Sequence, residues 1–366
     1  MSKIVKAIHP EDDAHYRSLG LKKGVVQLWE DGLRTDPNAE SYEWWYFDTH
    51  LDDGTAVVIV FYTKPMAKPK GPAAPFATIE ITTPEGVKIE DTVRAPMSQC
   101  SFSSYQCDVR IGACTFKGDL NHYQIHFQSP RITADVDLTG TVPSWRCQCG
   151  PLLFGENEED VFSWVPAVPE GRAKVDLAVD GRKSHHEGLA YHDHNWGNVS
   201  PLKLMHHWYW GRAKIGPYTV ITSWITSEKR YGYKEFDVFM IAKDGKIISG
   251  NENHTLRFTA SDRRIDPVTK KPYHAKLIFD YTDDDGSEYR IAYERERDIA
   301  YLKLVDQLPP VTRFGARLVG MDPSYIRFAG TASIRLSKNG QELEYYEAPA
   351  IWEAMYFGKV NLDLSH

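Results

Sequence analysis

The stretch WYFDTHLDDGTAVVIVFYT, residues 45–63, contains an aromatic strand, a polar turn and a β-branched strand that ends in an aromatic residue and a threonine. The stretch WYWGRAKIGPYTVITSWIT, residues 208–226, has the same organisation and aligns with the first without a gap, 163 residues later (208 − 45). Self-similarity at a long fixed spacing indicates a duplicated structural unit. We therefore predict two tandem β domains, residues 1–200 and 201–366, with Trp45 and Trp208 in equivalent positions.

Period-2 alternation of apolar and polar residues continues outside these two stretches. It is clear in YQIHFQ (123–128), ITADVDLTG (132–140) and EFDVFMIA (235–242). Turn sequences such as DGR, KDGK and KNGQ separate the alternating segments, and Asp-Gly or Asn-Gly between such segments is a strong hairpin signal. The pattern predicts an all-β protein.

Composition narrows the class of binding partner. The 366-residue chain has a net charge of −7 and no basic block, which argues against nucleic acid and against an anionic membrane surface. Aromatic residues make up 12% of the chain, with 10 Trp and 20 Tyr. This aromatic content favours a pocket for a lipophilic small molecule.

The N-terminal residues lack the apolar run of a signal peptide, and the longest apolar run, AVVIVFY (56–62), is too short to span a bilayer. The five cysteines are odd in number and belong to a chain too large to need a disulfide framework. We expect a cytoplasmic protein with reduced thiols and no stable membrane insertion. Cys147 and Cys149 have no second cysteine pair to complete a metal site, so no metal is predicted there.

The stretch GLAYHDHNWGN, residues 188–198, crowds polar side chains into a segment that we predict to be a strand. Side chains alternate along a strand. One face is therefore expected to carry Tyr191, Asp193 and Asn195, and the other His192, His194 and Trp196. Aspartate is a poor strand residue, so its presence here requires a partner or a task.

Three interpretations of this stretch are open. The first is a buried hydrogen-bond network without a chemical role. The second is a metal site made of His192 and His194, with His206 or His207 as a third ligand. No carboxylate follows at the spacing of comparable His-x-His sites, so we predict no metal. In the third, Asp193 is an acid whose pKa is raised by desolvation in an aromatic pocket.

The motifs ESYEWWYFDTHLDDG (40–54), GLAYHDHNWGN and HHWYWGRA (206–213) resemble the carotenoid 1,2-hydratase (hydroxyneurosporene synthase) family. Fungal Diels–Alderases and kievitone hydratase are similar and belong to the same superfamily. The resemblance implies two tandem lipocalin-like β domains. It also implies that Asp193 is the acid–base residue, and that Tyr191 and Trp164 of FSWVPAVP are its catalytic neighbours.

Other aromatic residues are candidates for substrate binding. Alternation places Trp44 and Tyr46 on one face of their strand and Trp45 on the other. It likewise groups Trp208 and Trp210 with Arg212, opposite Tyr209. The substrate-binding candidates are thus Trp44, Tyr46, His192, His194, Trp196, Trp208, Trp210 and Arg212. We expect Glu43, which precedes this aromatic cluster, to be a surface charge.

These features predict a cofactor-independent enzyme that acts on a C=C bond of a lipophilic isoprenoid or polyene-like molecule. In the leading interpretation it is a hydro-lyase, in which Asp193 protonates the alkene and aromatic faces stabilise the cation. The first alternative is a pericyclase that folds a linear polyene and hydrogen-bonds its carbonyl. The second is a lipocalin-like carrier, for which no buried acid is needed.

Overall fold

The computed structural model describes residues 3–66, 68–303 and 323–357. The chain divides into two compact units. One comprises Lys6–Ser200, and the other comprises Pro201–His366 together with Met1–Val5. We call them the N-terminal unit and the C-terminal unit. No helix in the described ranges is both long and apolar enough to cross a membrane.

The N-terminal unit contains one short α-helix, α1 (Asp13–Ser18), two 3-10 helices (Leu28–Asp31 and Met97–Gln99) and thirteen strands in its described residues. The strands are β1 (Ala7–Ile8), β2 (Tyr42–Leu51), β3 (Ala56–Tyr62), β4 (Phe76–Thr82), β5 (Lys88–Arg94), β6 (Cys100–Phe102), β7 (Asp108–Ile111), β8 (Cys114–Gly118), β9 (His122–Gln128), β10 (Ile132–Val142), β11 (Leu152–Phe154), β12 (Asp160–Val179) and β13 (Arg182–Gly197). They form one curled antiparallel sheet in the order β5-β4-β3-β2-β13-β12-β10-β9-β8-β7-β6, with β1 and β11 attached beside β12.

The C-terminal unit repeats this plan. It has two 3-10 helices (Pro201–Lys203 and Lys229–Tyr231) and nine strands in its described part. These strands are β14 (Met205–Ile215), β15 (Tyr218–Ser227), β16 (Glu235–Lys243), β17 (Lys246–Ser249), β18 (Arg257–Ile265), β19 (Pro272–Thr282), β20 (Ser287–Lys303), β21 (Ser324–Lys338) and β22 (Gln341–Tyr356). The order β17-β16-β15-β14-β22-β21-β20-β19-β18 corresponds strand by strand to the run from β5 to β8 of the first sheet, and β7 and β6 have no counterpart in the described part of the second. The predicted all-β fold with two tandem lipocalin-like domains is confirmed.

The two similar hairpins occupy the same place in their sheets, but their alignment differs from the prediction by one residue. Trp45 pairs with Phe61 across the first hairpin, whereas the corresponding pair of the second hairpin is Tyr209 with Trp224. Trp45 and Tyr209 both face the core of their own unit, and Trp208 does not. The predicted equivalence of Trp45 with Trp208 is therefore wrong, because a gapless alignment ignores the shorter turn of the second hairpin.

The core of the N-terminal unit lies on one face of its curled sheet. On β2 it takes Trp45, Phe47 and Leu51, and on β13 it takes Ala190. Because neighbouring residues of a strand point to opposite faces, Asp193 lies on the face away from this core. The residues that strand pairing brings together on that face form the candidate site.

The hairpin of β12 and β13 sets the register that positions this site. Its two-residue turn consists of Asp180 and Gly181, which both have positive φ (48° and 82°). Such a turn matches the twist of the flanking strands and explains the preference for Asp-Gly. The sequence DGR predicts a hairpin at this position, and the structure has one.

Candidate functional site

Three neighbouring strands contribute side chains to the face that carries Asp193. Across β13 and β2, Asp193 lies opposite Tyr46, and Asn195 lies opposite Trp44. Across β13 and β12, Asn195 lies opposite Trp164. Directly opposed residues share a face of the sheet, so these five side chains form one surface, which we call the Asp193 face.

Irregularities in β12 determine where Trp164 lies along β13. The pairing of β12 with β13 shifts between Val165 and Val168 and again between Val168 and Gly171. These shifts surround Pro166 and Pro169, which lack the N–H that a ladder hydrogen bond requires. Two such bulges move the pairing by two residues in total and leave Trp164 on the Asp193 face.

Three donors converge on the carboxyl group of Asp193. Its Oδ2 accepts hydrogen bonds from Trp164 Nε1 at 2.7 Å and from the Tyr191 hydroxyl at 2.8 Å. Its Oδ1 accepts one from Asn195 Nδ2 at 2.7 Å. The residue is only 7% exposed. The structure thus brings the three predicted catalytic residues into direct contact, together with Asn195, for which no catalytic role is predicted from the sequence.

Burial raises the pKa of Asp193 to about 6, although its hydrogen bonds to Trp164, Tyr191 and Asn195 and the nearby His192 oppose the rise. A carboxyl group with this pKa carries its proton in about half of the molecules at pH 6 and in about a tenth of them at pH 7. Within the described residues Oδ2 accepts two hydrogen bonds and Oδ1 accepts one. Oδ1 is therefore the oxygen with room for a proton that can be transferred.

Aromatic rings surround this carboxyl group. Trp44 stacks on Tyr42 with ring centroids 5.7 Å apart, and Tyr46 meets Tyr191 edge to face at 6.3 Å. Trp164 also has a ring neighbour, Trp145, at 6.3 Å. The predicted pair Trp44 and Tyr46 lies on this face, as alternation required.

Asp48 is a second buried carboxylate of the same face. It is 3% exposed, accepts a hydrogen bond from the Tyr46 hydroxyl at 3.1 Å and lies opposite Tyr191 across the strands. Asp48 and Asp193 are therefore diagonal neighbours across β2 and β13, with backbones about 7–8 Å apart. Sequence reasoning missed Asp48, although its alternation with Trp44 and Tyr46 was a usable signal.

His192 and His194 point to the core and are fully buried. Each places Nδ1 against a backbone carbonyl and Nε2 against a carboxylate. The distances are 2.8 Å to Tyr46 O and 3.1 Å to Asp31 for His192, and 3.1 Å to Glu30 O and 2.7 Å to Glu43 for His194. Because these partners only accept, each pair must hold a proton between imidazole and carboxylate. We therefore propose no substrate contact for the two histidines.

Two opposing effects act on the pKa of His192 in its pair with Asp31. Burial lowers the pKa of His192, but the Asp31 carboxylate outweighs it, so the pKa lies above its ordinary value. Asp31 Oδ2 also accepts the Tyr123 hydroxyl at 2.6 Å. The network is thus buried and closely hydrogen-bonded.

Glu43 is fully buried, so the expectation of a surface charge is wrong. Its carboxylate accepts the backbone N–H groups of Arg34 at 2.7 Å and of Thr35 at 2.9 Å. It also accepts the Thr35 hydroxyl at 2.7 Å and pairs with His194. These partners, Arg34, Thr35 and His194, lie outside the strand that carries Glu43. The alternation of residues along that strand therefore cannot predict them.

A metal ligand set can be assembled from the core network. Within the described residues, ligand atoms of Asp31, Cys107 and His192 lie within 4.8 Å of one another. Burial raises the pKa of the Cys107 thiol well above its ordinary value, which disfavours the thiolate that a metal requires. Cys147 and Cys149 are buried thiols. The absence of a metal stays a prediction.

The remaining candidates belong to the C-terminal unit. Trp208, Trp210 and Arg212 share the face of β14 away from the core, and Tyr209 faces the core, as alternation predicted. Trp208 donates Nε1–H to Glu353 at 3.1 Å. The role of these three residues in binding stays a prediction.

Comparison with known proteins shows a family match over most of the chain. The sequence model described as Diels-Alderase-like matches residues 35–291. The chain is 28% identical over 235 residues to the quinolone epoxide rearrangement protein penF of Penicillium thymicola, an alignment of 58% of this chain and 62% of penF. It is 31% identical over 139 residues to the Diels-Alderase poxQ of Penicillium oxalicum, covering 37% of this chain and 31% of poxQ. The chain thus spans less than two thirds of the length of these curated relatives.

Solved structures share the fold. The crystal structure of CghA with Sch210972 superposes with a TM-score of 0.60 at 14% identity, over 97% of this chain and 99% of CghA. Kievitone hydratase from Nectria haematococca superposes with a TM-score of 0.53 at 12% identity, over 91% of this chain and 93% of the hydratase. At these identities the likeness concerns the fold.

Proposed function

Since the chain belongs to the Diels-Alderase-like family, as its motifs indicated, we propose that it is an enzyme that transforms a lipophilic small molecule by proton donation from Asp193. The observation that carries this proposal is the buried carboxyl group with a pKa of about 6, on which Trp164, Tyr191 and Asn195 converge. A general acid is most effective when its pKa lies near the working pH. A carrier protein gains nothing from such a group.

The substrate class follows from the surroundings of the acid. The Asp193 face presents indole and phenol rings, including Trp44, Tyr46 and Trp164, and few charges. Such a surface suits an unsaturated, largely apolar molecule of the isoprenoid or polyene type. Aromatic faces also attract a developing carbocation.

In a hydration, Asp193 transfers the proton of Oδ1 to one carbon of a C=C bond, whose π electrons form the new C–H bond. A water oxygen then adds to the cationic carbon. The proton that this water loses passes to the Asp193 carboxylate, with Asp48 as an acceptor on the way. The net reaction adds one water molecule and restores the acid.

Cyclisation is a second candidate, and the names of relatives favour it. PoxQ is a Diels-Alderase, and penF is a quinolone epoxide rearrangement protein. Both kinds of reaction gain from a proton donor, which polarises a carbonyl in the first case and assists opening of the epoxide in the second. In this reaction Asp193 or Tyr191 donates a hydrogen bond to the folded substrate.

The dependence of turnover on pH tests proton donation. The protonated fraction of Asp193 falls about tenfold per pH unit above its pKa of about 6. We therefore expect kcat/KM to fall with that slope above pH 6, measured with the best substrate from a panel of isoprenoid alkenes, polyene ketones and quinolone epoxides. A flat profile between pH 6 and 8 contradicts the role of Asp193 as proton donor.

Product analysis in ¹⁸O-labelled water separates the two candidates. Hydration incorporates solvent oxygen into the product, whereas a pericyclic ring closure yields an isomer without it. The outcome assigns the reaction without relying on the identity of the acid.

A further inference from the structure

A cavity of about 540 Å³ lies in the N-terminal unit, apart from the Asp193 face. This volume falls in the range of small-molecule sites, about 300–1,000 Å³. Trp196, which lines the cavity, is three residues beyond Asp193 on β13 and points to the opposite face of the sheet. At roughly 3.3 Å per residue, the two side chains are about 10 Å apart along the strand. The cavity is therefore a different place from the proposed acid site.

The walls of the cavity are mainly apolar. They include Leu21, Leu153 and Val161, and two indole rings, those of Trp29 and Trp196. Two flat rings in an apolar wall favour a flat ring system as occupant, because offset and edge-on aromatic contacts add to area burial.

One cation of this cavity, Arg34, has N–H donors that its hydrogen bonds to the described residues leave unused. The Arg34 guanidinium lies 4.7 Å from the centroid of the Trp29 ring. It donates Nε–H to Gly32 O at 2.9 Å and an Nη2–H to Ser104 O at 2.6 Å. Guanidinium has five N–H donors, so three remain. The charges of Glu43 and Glu30 act on Arg34, but these two carboxylates are paired with His194 and Arg146.

The other buried charges at the cavity neutralise each other. Arg146 and Glu30 form an ion pair with both side chains almost fully buried. Asp36 and Glu40 line the cavity too, but both are exposed. Arg34 is thus the cation left for a ligand, and the two exposed carboxylates disfavour a ligand with several negative charges.

Arg34 is held in place by the core network. Its backbone N–H donates to Glu43 at 2.7 Å, and Glu43 pairs with the fully buried His194. A cation whose position is fixed before binding loses less entropy when a ligand binds.

We propose that this cavity is a second small-molecule site, which takes a flat fused-ring aromatic compound with a single carboxylate. The rings lie between Trp29 and Trp196, and the carboxylate accepts hydrogen bonds from Arg34. The site is independent of the reaction at Asp193.

Calorimetric titration of the full chain with 2-naphthoate tests this proposal. We expect one site, at least tenfold weaker binding of 2-naphthylmethylammonium, which has the same rings and the opposite charge, and at least tenfold weaker naphthoate binding in Arg34→Gln. Arg94→Gln is the matched control, because Arg94 also covers an aromatic ring, that of Phe76 at 4.9 Å, but is exposed and outside the cavity. It should bind naphthoate unchanged.

Two further variants keep the test decisive if Arg34→Gln folds poorly. Leu21→Trp places a larger side chain in the apolar wall of the cavity, leaves the charge of Arg34 in place and should weaken naphthoate binding at least tenfold. Asp193→Asn should leave it unchanged. The proposal is overturned if the two probes bind equally, if Leu21→Trp or Arg34→Gln binds naphthoate normally, or if no heat is detected at millimolar probe. Loss of binding in Asp193→Asn overturns it as well, since the probe would then occupy the Asp193 face.

Discussion

Replacement of Asp193 by asparagine should lower turnover by roughly a hundredfold or more, the scale of a positioned acid–base group, or about 2.7 kcal/mol in the barrier. Asparagine retains the shape of aspartate and still accepts from Trp164 and Tyr191, but it has no proton to transfer. Steady-state kinetics at pH 6 measure the effect. Asp176→Asn is the control, because Asp176 is exposed on β12 and pairs with the exposed His185 on β13; it should keep normal turnover.

The same variant should not lose stability. A carboxyl group whose pKa is raised by folding stabilises the native state below the unfolded pKa, and this contribution disappears as pH rises through about 6. At pH 7 the ionised Asp193 therefore costs stability, and its replacement by asparagine should give an equal or higher melting temperature. A purely structural network predicts the opposite result, a lower melting temperature. A stable variant with near-normal turnover would favour cyclisation aided by a hydrogen bond alone.

The second large effect concerns the buried carboxylate of Glu43. Glu43→Ala leaves the His194 imidazole and the N–H groups of Arg34 and Thr35 without their acceptor. Removal of one partner from a buried ion pair typically costs about 3–5 kcal/mol. We expect a loss of unfolding free energy of that size in urea denaturation.

Asp52→Ala provides the comparison for Glu43→Ala. Asp52 also belongs to an ion pair, with Arg172, but both side chains are largely exposed. Exposed pairs contribute little to stability, so this variant should unfold close to the urea midpoint of the unmodified chain. Equal stability losses in the two variants would show that burial of Glu43 has no special weight.

Strand alternation predicted which residues share a face, because a pleated strand places side chains by local geometry alone. Tyr191, Asp193 and Asn195 do lie together, and His192 and His194 do lie on the other face. The contact of Trp164 with Asp193 depends on two proline-associated bulges and on pairing between strands. Only the family resemblance pointed to it.

Two expectations from the sequence are wrong, the exposure of Glu43 and the equivalence of Trp45 with Trp208, because both depend on strand pairing and distant partners. Glu43 is buried because His194, 151 residues away, and the segment at Arg34 complete its hydrogen bonds. No local pattern shows such partners. Trp45 matches Tyr209 rather than Trp208 because the hairpin turns differ in length, which strand pairing reveals and a gapless alignment hides.

Proton donation by Asp193 requires that its carboxyl group holds a proton up to about pH 6. Infrared difference spectroscopy of protein with ¹³C-labelled aspartate follows the carboxylic acid band through a pH titration, and the band missing in Asp193→Asn assigns the residue. We expect this carboxylic acid band to disappear with a midpoint of about pH 6. A midpoint near 4, the ordinary value for aspartate, would contradict it.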